Sequence, residues 1–213
     1  ENRNIKVLVA EDIPLNQLLM KTILDDFGFE RDIAANGKIA IEKMQEKSYD
    51  IVLMDLQMPE MNGFEATDYI RNKMNSDIPI IALTADVTTV DLEKCTAVGM
   101  NDYIAKPVDE RLLYSKMVSL AKKSAHIIDP VVSVIDENIE TKYSDLEYLK
   151  IRTKSNRILM MEMISLYLEQ TPSLVSIMKN SWNEKDWNSL YSAVHKMIPS
   201  FAIMGINAEY ENM

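Results

Sequence analysis

Only one cysteine, Cys95, occurs in the 213 residues. An internal disulfide framework is therefore excluded, and a reducing compartment fits. No apolar run approaches the roughly 18 residues of a membrane span, and the opening ENRNIKVLVAED does not read as a signal peptide. Basic charge is scarce: 23 Lys and Arg stand against 33 Asp and Glu, a formal net charge of -10. Such a surface repels phosphate backbones and anionic lipid, which argues against direct nucleic-acid binding by this stretch. Histidine is rarer still, with two, His126 and His195. Internal repeats and low-complexity tracts are missing as well. What remains is ordinary globular composition, 47% hydrophobic and 26% charged, so wholesale disorder is not expected. The expectation is a soluble cytoplasmic chain, cut from a parent that could itself be membrane-anchored.

The chain reads as two halves. Residues 1–124 alternate short apolar runs, Ile5–Ala10, Ile51–Asp55, Ile80–Thr84 and Tyr103–Ala105, with a weaker run around Arg31–Ala35. Continuous apolar runs of this length suit strands buried on both faces. Helical periodicity fills the gaps at Leu15–Phe27, Lys38–Lys47, Gly63–Met74, Thr89–Val98 and Glu110–Lys123. Five strands alternating with five helices predict a doubly wound α/β parallel sheet. Residues 125–142 contain Pro130, lack a period and read as a linker. From residue 143 no strand pattern appears, and Asn156–Glu169, Ser173–Trp182 and Asp186–Phe201 suggest an antiparallel all-α bundle.

Acidic residues collect at the strand ends. Glu11 and Asp12 follow the first run, Asp55 ends the third, Thr84 ends the fourth and Lys106 follows the fifth. In an open parallel sheet, chemistry gathers beyond these carboxyl ends. Carboxylates so close repel unless they share a cation, and hard oxygen donors favour Mg²⁺. The lysine suits one phosphoryl oxygen and the threonine hydroxyl another.

EDIPLNQ, LMDLQMPEMNGFE, LTAD and YIAKP, in that order and spacing, closely resemble a response-regulator receiver domain over about residues 4–122. The resemblance implies a flavodoxin-like sheet of order 2-1-3-4-5, the arrangement for which a member of this same family is a standard example. It further implies that Asp55 accepts a phosphoryl group as an aspartyl phosphate. Glu11 and Asp12 match the acidic pair, with Asp12, Asp55 and the Gln57 backbone carbonyl on Mg²⁺. Lys106 would pair with the phosphoryl group across a cis peptide to Pro107, and Thr84 and Tyr103 occupy the switch positions. Leu15, Leu18 and Leu19 must partly pack on the sheet, and leucines near the rim also suit docking a partner helix.

His126 falls in the linker without acidic or nucleophilic neighbours and is given no role. His195 lies in DWNSLYSAVHKMIPSFAIMG, where Trp187, Leu190, Tyr191, Val194, Ile198 and Phe201 form the expected core face and His195 its partly exposed edge. LYLEQTP, the Asp186–Trp187 pair and AVHKM resemble a histidine-containing phosphotransfer domain, which implies that His195 exchanges phosphate with an aspartate such as Asp55. Two positions depart from that pattern: Ile198 replaces the usual lysine and Pro199 the usual glycine. Proline should bend or loosen the turn at the His195 carbonyl. The family's final helix is expected to be missing, leaving an apolar groove that a second copy could fill as a homodimer.

Together these resemblances imply the C-terminal end of a hybrid sensor histidine kinase working in a phosphorelay. The stretch itself carries no ATP-binding kinase region, and its implied partners are a histidine kinase or a phosphotransfer domain. An alternative keeps the receiver but reads the helical half as a degenerate docking or dimerisation module. A metal-dependent phosphatase would need a second aspartate two residues after Asp55, where Gln57 stands.

Overall fold

A computed structural model describes residues 5–85, 89–122 and 146–206. The predicted linker and His126 lie outside the described residues. Five strands, β1 (Lys6–Ala10), β2 (Glu30–Ala34), β3 (Ile51–Asp55), β4 (Ile80–Thr84) and β5 (Asp102–Ala105), form one parallel sheet of order β2-β1-β3-β4-β5. The register sets Val7 against Ile51, Val52 against Ile80 and Ile81 against Asp102. Between the strands run α1 (Pro14–Asp26), α2 (Gly37–Glu46), α3 (Gly63–Asn72) and α4 (Thr89–Ala97), and α5 (Glu110–Lys122) follows β5. This is the flavodoxin-like receiver fold expected from the sequence, with further helices appended.

Side chains alternate across a strand, and that alternation builds two apolar layers. Val7, Val9, Leu53, Ile81 and Leu83 meet Leu15, Leu19 and Ile23 of α1 and Leu113 and Met117 of α5. Leu8, Ala10, Val52, Met54, Ile80 and Ala82 meet Ala40 and Ile41 of α2 and Ala66 and Ile70 of α3. Every residue of β3 and β4 is buried, and each large apolar side chain so enclosed contributes about 1.5–3 kcal/mol.

The appended helices are α6 (Glu147–Arg152), α7 (Arg157–Glu184) and α8 (Trp187–Ile203). Asn156 caps α7 by accepting from the Ile158 and Leu159 N–H groups, and Asp186 caps α8 by accepting from Ser189. Two expectations need correction. The stretches Asn156–Glu169 and Ser173–Trp182 are one helix, because α7 continues through Pro172. A proline removes one intrahelical donor without forbidding the helix, and nearby groups can re-satisfy the turn. The carbonyl that loses its helical donor is that of Leu168, four residues before Pro172, and the helix continues past it.

The buried face of α8 also differs from the expected one. Trp187, Tyr191 and Val194 are exposed, whereas Ala193, His195, Met197, Pro199, Ser200 and Ile203 are buried. The reason is a second packing surface. Leu149, Met163, Ile203 and Met204 join the same apolar cluster as Leu15, Leu19 and Ile23, so α1 is covered by the sheet on one side and by the appended helices on the other. A periodicity argument assumes one core, and α8 packs against both α7 and α1.

Candidate functional site

The five polar residues singled out at the strand ends do converge. Lys106 Nζ donates to Glu11 Oε2 at 2.6 Å and to Asp55 Oδ2 at 2.7 Å. All three side chains are almost wholly enclosed. One oxygen each of Glu11, Asp12 and Asp55 lie within 4.8 Å of one another. Thr84, at the end of β4, is buried beside them in the sheet, and its carbonyl accepts from the Lys106 N–H at 2.6 Å. The Lys106–Pro107 peptide is cis, as expected.

Local hydrogen bonds hold Glu11 and Asp55 in place. Glu11 Oε1 accepts from the Ile13 N–H at 3.1 Å and from Asn16 Nδ2 at 3.1 Å, which ties it to the first turn of α1. Asp55 Oδ1 accepts from the Gln57 N–H at 3.1 Å, so the loop after β3 fixes its rotamer. Gly63 packs α3 against the same strand end: a Cβ there would sit 2.2 Å from the Asp55 carbonyl oxygen. Only glycine permits that approach. Asn62 and Glu65 form a reciprocal capping box that anchors this turn.

Burial and charge shape the electrostatics. Loss of water pushes Glu11 up to about 7, opposed by the Lys106 ammonium and reinforced by Asp55. Burial also raises Asp12, against the pull of Lys196. For Lys106, burial alone would lower the ammonium, but Glu11 and Asp55 together outweigh it and hold the group charged above the usual lysine range. Asp12 Oδ1 is shut off from solvent and accepts no hydrogen bond among the described residues. A buried, unpartnered carboxylate oxygen inside a three-carboxylate cluster is the donor set a hard divalent cation takes. The residues therefore fit Mg²⁺.

Tyr103 is half-buried on β5. Lys116 Nζ lies 4.9 Å from its ring centroid and donates to its carbonyl at 2.9 Å. His195, expected at an exposed edge, is instead 8% exposed, with the Tyr191 ring 5.8 Å away. Sequence reasoning missed three contributors. Asn16 and Gly63 carry local signals, in the hydrogen bond to Glu11 and the glycine after the loop beyond β3. Lys196, which pairs with Asp12 Oδ2, carried none, because the two residues are 184 positions apart.

Residues 7–118 match the family described as "Response regulator receiver domain". The chain is 45% identical over 117 residues to "Hybrid signal transduction histidine kinase I" of Dictyostelium discoideum, covering 51% of this chain and 7% of that protein. It is 29% identical over 193 residues to "Sensor protein EvgS" of Escherichia coli, covering 91% of this chain and 15% of that one. The chain thus spans a small fraction of these curated relatives. Among solved structures, the receiver domain of sensor histidine kinase PA1611 from Pseudomonas aeruginosa, with magnesium coordinated in its active-site cleft, superposes with a TM-score of 0.52 at 34% identity, covering 56% of this chain and 98% of that one. The Saccharomyces cerevisiae complex of the phosphotransfer protein Ypd1 with the Ssk1 receiver matches at a TM-score of 0.55 and 32% identity, covering 58% and 93%. Receivers of this kind bind Mg²⁺ at an acidic site and meet histidine kinase or phosphotransfer partners, and no helix among the described residues is long and apolar enough to cross a membrane. With residues 7–118 matching its model, the chain belongs to the response-regulator receiver family, as a receiver of two-component phosphorelay signalling of the kind found in hybrid histidine kinases.

Proposed function

We propose that Asp55 is the phospho-accepting residue and that Glu11, Asp12, Asp55 and the Gln57 carbonyl hold Mg²⁺ beside it. The observation that carries this reading is the Lys106 ammonium clamped between Glu11 and Asp55 in a site closed to bulk water. An Asp55 oxygen attacks phosphorus in line, and the bond from phosphorus to the donor's imidazole nitrogen or acyl oxygen breaks, the leaving group keeping the electron pair. Lys106, released in part from Asp55 as its carboxylate becomes an acyl phosphate, pairs with a phosphoryl oxygen. The Thr84 hydroxyl donates to another, and Tyr103 follows Thr84 as the switch. Bound Mg²⁺ supplies charge neutralisation for the transferring group. Incubation with acetyl phosphate and Mg²⁺, followed by mass spectrometry, tests the reading: the parent is phosphorylated and Asp55→Asn gains no phosphoryl group.

Residues 1–124 act as the receiver and 143–213 as a phosphotransfer-like helical domain, with His195 as the second phosphoryl carrier and a kinase or phosphotransfer domain as partner. The resemblance around AVHKM supports that role. The burial of His195 favours a second reading, in which α6–α8 serve as a docking module. Phosphate that reaches His195 from Asp55, and is lost in His195→Gln, decides for the carrier. The exposed Trp182, Trp187 and Tyr191 support a homodimer, for which sedimentation velocity is the test.

A further inference from the structure

The seam between the receiver and the appended helices carries opposite charges at both ends. At one end Arg152 and Lys154 meet Asp26, with Lys154 Nζ donating to Asp26 Oδ1 at 2.6 Å, and Arg152 also pairs with Glu110. At the other end Lys196 of α8 pairs with Asp12 inside the acidic cluster. At both ends a receiver acid pairs with a helix base. Beside Lys106, Pro199 and Ile203 the seam is tight, with a void of about 20 Å³ that has room for roughly one water, whereas a cleft of about 510 Å³ opens beside Asp26, Arg152 and Lys154.

We propose that α8 and a divalent cation compete for Asp12, Lys196 being a tethered counterion on the surface a metal would use. The proposal rests on the reading of Asp12 as a metal ligand and adds to it an intramolecular partner, the chain's own α8. Asp12 Oδ2 holds the ammonium while Oδ1, buried and unpartnered, stays short of positive charge. Mg²⁺ needs short, nearly octahedral contacts, and an ammonium on Asp12 Oδ2, added to the Lys106 ammonium already on Glu11 and Asp55, repels a cation approaching Oδ1. A helix seated on Asp12 therefore lowers metal affinity, and metal binding loosens the helix by the same factor, because coupling of two binding equilibria is reciprocal. The seated state is poor in metal and closed to a phosphodonor, and the loosened state is open to both.

Calorimetric titration of MgCl₂ into the whole chain measures the coupling. Lys196→Gln should bind Mg²⁺ about 5- to 10-fold more tightly, at the lower end of ordinary coupling, and Lys196→Arg should behave like the parent. Lys154→Glu is exposed and meets Asp26, away from the cluster. It should also tighten binding by about 2- to 3-fold through weaker docking. Hydrogen exchange of Pro14–Asp26 should quicken when Mg²⁺ is added to the parent. Parental affinity in Lys196→Gln overturns the proposal, as does α1 exchange indifferent to Mg²⁺. Tightening in Lys196→Gln alone, with Lys154→Glu and exchange unchanged, also overturns it by making Lys196 merely a nearby charge. Binding that survives Asp12→Ala in full, or no binding by any variant, instead removes the ligand reading on which the competition stands.

Discussion

The two halves of this molecule bury their helices by different rules. In the receiver half a helix such as α3 turns one stripe toward the sheet, so its hydrophobic pattern and its buried face agree: α3 buries Gly63, Ala66, Thr67 and Ile70 at helical spacing. In the helical half α8 has two neighbours, α7 and α1. Its buried set then includes His195, Pro199 and Ser200 and leaves Trp187 and Tyr191 outside. The lesson is that apolar periodicity reports the core only where there is a single core to report. The same contrast extends to polar residues. In the receiver the buried charges are neutralised within the half, Lys106 by Glu11 and Asp55, whereas Asp12 is neutralised from across the seam by Lys196.

The largest effect expected is on chemistry and should be confined to the receiver. Asp55→Asn keeps the shape and the acceptor for the Gln57 N–H but removes the nucleophilic charge. Phosphoryl uptake from acetyl phosphate should fall below detection while the far-ultraviolet circular dichroism is retained. Persisting uptake would place the acceptor elsewhere and dissolve the distinction between a chemical half and a docking half.

Next comes the backbone approach that shapes the same strand end. Gly63→Ala introduces a Cβ 2.2 Å from the Asp55 carbonyl oxygen, a contact with backbone that no rotamer relieves. Overpacking of this kind costs about 1–3 kcal/mol. Chemical denaturation should report that loss, and phosphoryl uptake should fall as Asp55 shifts. An unchanged denaturation midpoint would mean that α3 can slide outward freely.

How much of this was legible in the sequence depended on where the controlling neighbour lay. The strands and the residues just past them could be placed because Ile51–Asp55 and Ile80–Thr84 each announce a strand locally, and the sheet then gathers their ends. Glu11, Asp12, Asp55, Thr84 and Lys106 needed no more than that. The two stretches Asn156–Glu169 and Ser173–Trp182 read as separate in the sequence because nothing local in the residues between them shows that one helix runs on through Pro172. The pairing of Lys196 with Asp12 and of Arg152 with Asp26 and Glu110 depends on how two separately patterned segments meet. No periodicity encodes that.

A third effect, intermediate in size, is set by pH. Glu11 titrates near 7 because burial disfavours its charge, against 4.5 for an ordinary glutamate. The sign follows from the raised value. Without metal, the folded protein binds this proton more tightly than the unfolded chain does, so Glu11 contributes stability below 4.5 that is lost as pH climbs through about 7. Metal binding runs the other way, because a ligating carboxylate must shed its proton. Mg²⁺ affinity should rise with pH up to about 7 and then level, by at most roughly tenfold per unit for one released proton. Glu11→Gln should flatten the profile. A profile equally steep in that variant would assign the proton to another group, and Asp12, which burial also raises, would be the group to test.

The smallest effect bears directly on the comparison of the two halves. On the single-core reading of α8, Trp187 faces inward, and Trp187→Ala should then cost about 3–5 kcal/mol, as for any enclosed aromatic. The structure leaves Trp187 56% exposed, in contact with Trp182 through an edge-to-face pair whose centroids are 5.8 Å apart. Such a pair adds about 0.5–1.5 kcal/mol, and removal of a side chain already half in water forfeits little more. Trp187→Ala should therefore lower stability by about 1 kcal/mol, while Met197→Ala, from the enclosed side of the same helix, should cost about 2–5 kcal/mol. Denaturation curves of the two variants, followed by circular dichroism rather than by the fluorescence that the first substitution removes, give the order directly. The reverse order would mean that α8 turns its aromatic face inward in solution, and with it that Lys196 does not reach Asp12.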